Sequence, residues 1–262
     1  MVKGAWLFMI ELIIFLFVLA LIMEIIDSGL GMGYGTVLSP LLLMSGIGAL
    51  VVVPSILISQ AIGGFVASIF HNKFKNADLM PKKDKEMSRD LKIVGIITVL
   101  GMIATVAAVF LAVSLPKWAL NGYIGIVVLA MGLILLSKVV FKFSWKKMIF
   151  VGALASFNKG LSGGGFGPVT TGGQVIAGQE NKNAIGCTTL AEAPICIVAF
   201  ITYVLLKGFP DPMVMLPLIA GAAIAAPIGA YLTKKLDSKK LRFILGVLIT
   251  VLGAWTIIKL FL

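Results

Sequence analysis

The chain is poor in the residues on which soluble enzymes rely. Its 262 residues include one histidine, two cysteines and 11 Asp plus Glu. One His and two separated Cys do not furnish the four N/S ligands of a conventional zinc site, so no metal is expected. Cys187 and Cys196 lie nine residues apart on one predicted helix. Nine residues turn a helix through about 900°, onto opposite faces, which excludes a mutual disulfide or a CxxC redox pair. No Gly-Lys-Ser/Thr is present and no glycine run follows a strand, so the P-loop and dinucleotide readings fail. No credible nucleophile–base pair appears either, and neither an enzyme nor a cofactor is expected. Charge itself is scarce, at 13% of residues.

What is present is apolar. Hydrophobic residues make up 60% of the chain and the mean hydropathy is +1.09, outside the range of a soluble globular domain. Stretches near 6–27, 50–70, 92–114, 119–138, 183–206, 212–233 and 242–261 are long enough to cross a hydrocarbon core about 30 Å thick. The fold class is therefore an all-α polytopic membrane protein. The first stretch is too long for a signal peptide and lacks a small-residue cleavage site, so no cleavable leader is expected. Trp6, Trp118, Trp145 and Trp255 fall mostly near predicted span ends, as interfacial aromatics do.

The net charge of +11 is concentrated in loops. Of 22 Lys and Arg, seven lie between His71 and Lys92, four between Lys138 and Lys147, and five between Lys234 and Arg242. Cytoplasmic loops carry such an excess, so the charge reads as topology and headgroup affinity, not as a nucleic-acid surface. A multi-pass protein of the plasma membrane follows, with the bilayer as its surroundings. A homo-oligomer is compatible with this reading.

Two glycine-rich stretches interrupt the apolar chain, Gly29–Gly35 and Gly160–Gly167. A shift of 132 residues aligns Gly33 with Gly165, Gly35 with Gly167, Val37 with Val169, Tyr34 with Phe166 and Gln60 with Glu192. This predicts two repeats, 1–140 and 141–262. With the three basic loops cytoplasmic, residues 145–180 begin and end inside, forming a hairpin tipped by Gly160–Gly167. The region 6–48 becomes its counterpart, opening outside with Gly29–Gly35 at the tip. The expectation is eight to ten transmembrane segments in two inverted-topology repeats, each with a glycine-tipped hairpin. Paired interruptions in corresponding positions are the sequence pointer to a transporter's binding site.

A helix restarting after each run, near Thr36 and Val169, would aim unpaired N–H groups and the positive end of its dipole at the cavity, which suits an anion. The candidate substrate-binding residues are Gly31, Gly33, Gly35 and Thr36 at the first tip. At the second they are Asn158, Lys159, Gly163, Gly164, Gly165, Gly167 and Thr170, with Cys187 and Thr188 on the following span. Close packing of small residues is the competing explanation of the glycines. Ionisable groups at membrane depth default to function: Lys159 to attract an anion, and Glu192 or Asp27, with Gln60 as the symmetry mate of Glu192, to couple a proton. A local ion pair, or Lys159 snorkelling to an interface, is the alternative. A thiol at Cys187 suits a sulfur-containing substrate, though a buried membrane cysteine also serves as a small apolar residue. His71, at a span end beside Asn72 and Lys73, reads as an interfacial structural residue.

The pattern Ile26-Asp-Ser-Gly29, Val37-Leu-Ser-Pro40 and Ala67-Ser-Ile-Phe-His-Asn72 is repeated loosely as Lys159–Pro168 and Ala184–Glu192. Over nearly the whole chain it resembles the TauE/SafE sulfite exporter family. The first tip departs from that family's consecutive glycines by interposing Leu30, Met32 and Tyr34. The resemblance implies a permease for sulfite, sulfoacetate or related small anions. The reading is a secondary transporter exporting such an anion by alternating access, with protons as candidate partners. The alternatives are an importer of thiosulfate-like compounds or a passive anion channel.

Overall fold

A computed structural model describes residues 2–80, 88–137, 145–176, 179–233, 235 and 238–261; for 2–8, 145–149, 151, 176, 238 and 241–242 it describes the backbone alone. The basic stretches 82–87 and 138–144 and Lys234 thus lie outside the described residues, as do the side chains of Trp6 and Trp145. Ten α-helices account for the fold, with no strand among the described residues: α1 (Val2–Leu30), α2 (Tyr34–Met44), α3 (Ala49–Lys73), α4 (Arg89–Ser114), α5 (Lys117–Leu136), α6 (Trp145–Ser162), α7 (Phe166–Ile176), α8 (Asn181–Lys207), α9 (Pro212–Leu232) and α10 (Ser238–Ile258).

The helix ends follow local chemistry. Ser88 Oγ accepts from the Leu91 N–H at 3.1 Å to cap α4. Asp211 caps α9 by accepting from Met213 N–H at 2.9 Å, with Pro212 in the first turn where its missing N–H costs nothing. Gly208, at φ 82°, ends α8.

Among the described residues, six helices are long and apolar enough to cross a membrane: α3, α4, α5, α8, α9 and the Met9–Leu30 part of α1. The apolar stretch of α10, Phe243–Ile258, is shorter. Helices α2 and α7 have 11 residues each. At 1.5 Å per residue that is about 16 Å, half the hydrocarbon thickness, so each arm reaches only partway. Large apolar side chains face outward along the spans, among them Val99, Ile103 and Phe110 of α4 and Phe243, Val251 and Trp255 of α10. With lipid as solvent this is the stable arrangement.

The bounds of α2, displaced by 132 residues, are those of α7, and the ends of α1 and α6 and the starts of α3 and α8 obey the same offset. Helix pairing follows suit. α1 packs on α9 as α6 packs on α4; α3 packs on α9 as α8 packs on α4; and α3 with α8, and α5 with α10, form the two remaining large pairs. Glycines set the closest approaches. Gly221 and Gly229 bring α9 against the backbone of α1, and Gly132 and Gly253 bring α5 and α10 backbone to backbone.

Candidate functional site

The helix breaks are narrower than the glycine runs. Gly29 and Gly160 remain helical, and the chain turns over Gly31–Gly33 and Gly163–Gly165. Gly31 (φ 73°), Gly33 (130°), Gly163 (73°) and Gly165 (82°) adopt the left-handed region that side chains resist. The two breaks cross. A methyl on Gly35 would overlap the Gly163 carbonyl, and one on Gly167 would overlap the Gly31 carbonyl; the two contacts exchange under the 132-residue shift. Ser39 Oγ donates to Ser162 O at 2.6 Å and Thr171 Oγ1 to Gly31 O at 3.1 Å, tying each arm to the opposite break.

The expected open N–H groups are largely occupied. Asp27 Oδ1 accepts from the Tyr34 N–H at 3.0 Å, at the start of α2. Thr36 Oγ1 accepts from Gly165 N–H at 3.2 Å, and Ser162 Oγ from Gly164 N–H at 3.2 Å. Thr170 turns its hydroxyl back onto Phe166 O at 2.7 Å. The cationic donor at this depth is Lys159.

Lys159 and Asp27 each sit one turn before a break, and the 132-residue shift superposes them. Each bonds the residue at the corresponding place on the next long helix. Lys159 Nζ lies 2.7 Å from Glu192 Oε1, and Gln60 Nε2 donates to Asp27 Oδ2 at 3.2 Å. The two pairs are joined: Lys159 Nζ donates to Gln60 Oε1, and Gln60 Nε2 also reaches Glu192 Oε1 at 3.1 Å. The cluster is buried, with Lys159 1% and Glu192 5% exposed. This excludes a snorkelling Lys159 and makes the ion pair a property of the core. One turn before Asp27, Glu24 accepts from Ser28 Oγ at 2.5 Å, while its Oε2 is buried with no partner.

Other predicted residues sit around this centre. Asn158 accepts a hydrogen bond from the Tyr123 hydroxyl. Thr188 Oγ1 lies 3.0 Å from Thr171 Oγ1 and accepts from Gln174 Nε2 at 2.8 Å, beside α7. Cys187 is bound elsewhere, with its Sγ 3.3 Å from Gln179 Nε2 beside the start of α4, where Asp90 accepts from Gln179 and Asn183. His71, in the last turn of α3, is fully buried: its Nδ1 lies 3.0 Å from Asn76 Nδ2, and Gly186 lies beside it.

Gln174, Tyr123 and Glu24 were not read as site residues. The signal for Gln174 was available, since its counterpart in the first half is Leu42. The hydroxyl of Tyr34 also escaped notice; it donates to Ser59 Oγ at 2.9 Å.

The family model for the sulfite exporter TauE/SafE matches residues 16–256. A probable membrane transporter protein, YtnM, of Bacillus subtilis (strain 168) is 30% identical, over 95% of this chain and 83% of its own length. No solved structure matches. With two glycine breaks crossed beside a buried charge cluster inside a bundle of membrane-length helices, the chain belongs to the TauE/SafE sulfite exporter family and is a multi-pass membrane transporter.

Proposed function

We propose that this transporter moves a small anion, sulfite or an organosulfonate such as sulfoacetate, out across the plasma membrane. Two inverted repeats, 1–140 and 141–262, alternate in exposing a central site. The observation that carries the anion reading is the buried Lys159, paired to Glu192 at 2.7 Å one turn from the crossed glycine breaks. An ammonium at membrane depth is costly and serves a charged partner. The outward direction rests on what the family's description names.

Glu192 holds the place of the cargo. One buried ammonium does not hold two anions without a large desolvation cost. An oxyanion therefore takes Lys159 Nζ when a proton neutralises Glu192 and frees that ammonium. Gln60, which contacts Lys159, Glu192 and Asp27 at once, turns its amide to suit either arrangement. When the anion leaves, the proton leaves Glu192 and the ion pair re-forms. A monoanion such as bisulfite and one proton travel together, that step is electroneutral, and the combined anion and proton gradients set its direction. The import reading, with Cys187 on a thiosulfate sulfur, draws no support from a thiol held between Gln179 and the backbone carbonyl of Asp90.

Sulfite flux from proteoliposomes tests this. Wild-type flux is expected to saturate, to respond to an imposed pH gradient and to ignore a potassium diffusion potential. Lys159→Met should lower it at least tenfold, and Glu192→Gln should leave a flux that the potential drives. Wild-type flux from correctly incorporated Lys159→Met overturns the assignment. Unsaturable, potential-driven wild-type flux marks a passive channel instead.

A further inference from the structure

The two short arms share bounds but not surroundings. The outer side of α2 is covered by α5 and α10. Val37, Leu38 and Leu42 of α2 share one apolar core with Ile124, Val128 and Met131 of α5 and Leu245, Ile249 and Leu252 of α10. Lys259, just past α10, donates from Nζ to the carbonyl of Met44, the last residue of α2, at 2.8 Å. Arm α7 packs on α6 and α8, without comparable packing on α5 or α10 among the described residues. Among the described residues nothing lies within 4 Å of a methyl placed on Gly172 or Gly173, whereas their counterparts in α2 are Pro40 and Leu41.

Two adjacent glycines weaken a helix, and among the described residues no neighbour uses the space they leave. Side-chain-free faces are where membrane helices approach closely. A fitting partner exists within the chain. Helices α5 and α10 meet backbone to backbone at Gly132–Thr250 and Gly253–Leu129, which makes the pair one stiff unit. That unit already touches both breaks, through Leu245 at Gly33 and through Val127 and Met131 at Gly165. In a transporter of two inverted repeats, the alternate state is reached when each repeat takes the conformation of the other. The surroundings of α2 then become those of α7.

We propose that the α5–α10 pair is the moving gate: here it seals the α2 side, and in the alternate state it leaves α2 and seats on the Gly172–Gly173 face of α7. This rests on the alternating-access reading above. The structure shown is the state open on the α7 side, and the Lys259–Met44 contact is its latch.

The proposal is tested by filling the seat. Gly172→Leu and Gly173→Leu have room in the present state, so folded yield should hold. Sulfite flux should fall at least tenfold, with Gly173→Ala intermediate. Both Leu variants transporting at the wild-type rate would overturn the gate. A second measurement needs no substrate. Both native cysteines are buried, so maleimide labelling of a Gly173→Cys variant reports the openness of that face. Adding Lys259→Met releases the latch and should slow labelling about threefold; an unchanged rate also overturns the gate. If wild-type protein moves no sulfur oxyanion, the transport reading fails, and the labelling arm still decides whether the gate exists.

Discussion

Asp27 and Lys159 occupy equivalent places in the two halves, one turn before equivalent breaks, and carry opposite charge. Gln60 and Glu192 differ likewise, so one half offers carboxylate and amide and the other ammonium and carboxylate. The backbone contacts between the breaks remain reciprocal. The comparison separates two demands on the molecule. Crossing the breaks requires bare backbone at Gly35 and Gly167, which meet the Gly163 and Gly31 carbonyls, while Met32 and Gly164 at the middle of the breaks differ. Handling a charged cargo requires the halves to diverge, because two like-charged centres at the crossing would repel each other in a buried core.

The largest test of that separation strikes the shared part. Gly35→Ala and Gly167→Ala each drive a methyl into a backbone carbonyl that no rotamer change can move aside. Each should cost about 4 kcal/mol or more, enough to abolish the folded species, read as monodisperse yield in detergent. Equal losses from both keep the breaks equivalent; a tolerated Gly167→Ala would break the symmetry.

Next comes the divergent part. Lys159→Met strands the Glu192 charge in the core and should destabilise by about 3–5 kcal/mol in thermal unfolding. Asp27→Asn keeps an acceptor for the Tyr34 N–H and should cost about 1 kcal/mol. Equal costs would show that the two residues are interchangeable structural polar groups. The smallest effect belongs to the ties between arm and opposite break. Ser39→Ala and Thr171→Val each remove one inter-half hydrogen bond, worth about 1 kcal/mol. Matching losses on chemical unfolding are expected, and a null effect for one would locate the looser arm.

Much of this was legible in the sequence because membranes restrict what a chain can do. Of the seven span-length apolar runs, six are long apolar helices and the last, in α10, is shorter among the described residues, and clustered glycines marked both breaks to within a few residues. The 132-residue offset that paired Gln60 with Glu192 also pairs Asp27 with Lys159, although identity-based alignment passes over a pair of opposite charge. Two things were not legible. The N–H groups of the tips are satisfied by Asp27, Thr36 and Ser162, contacts that depend on how the arms fold back. The burial of His71 brings it beside Gly186 of α8, more than a hundred residues away. Spacing along one helix carries no information on either.

The joining of Lys159 to Gln60 and, through it, to Asp27 also bears on how the protein is made. A ribosome adding about 5–20 residues per second needs on the order of 10 s to pass from the first acidic residue to the lysine. Through that interval the nascent N-terminal half holds its carboxyls at the membrane without their counter-charge, and its break without the backbone that crosses it. The first half is synthesised early but finished late, and the insertion machinery has to shelter it until the second half arrives.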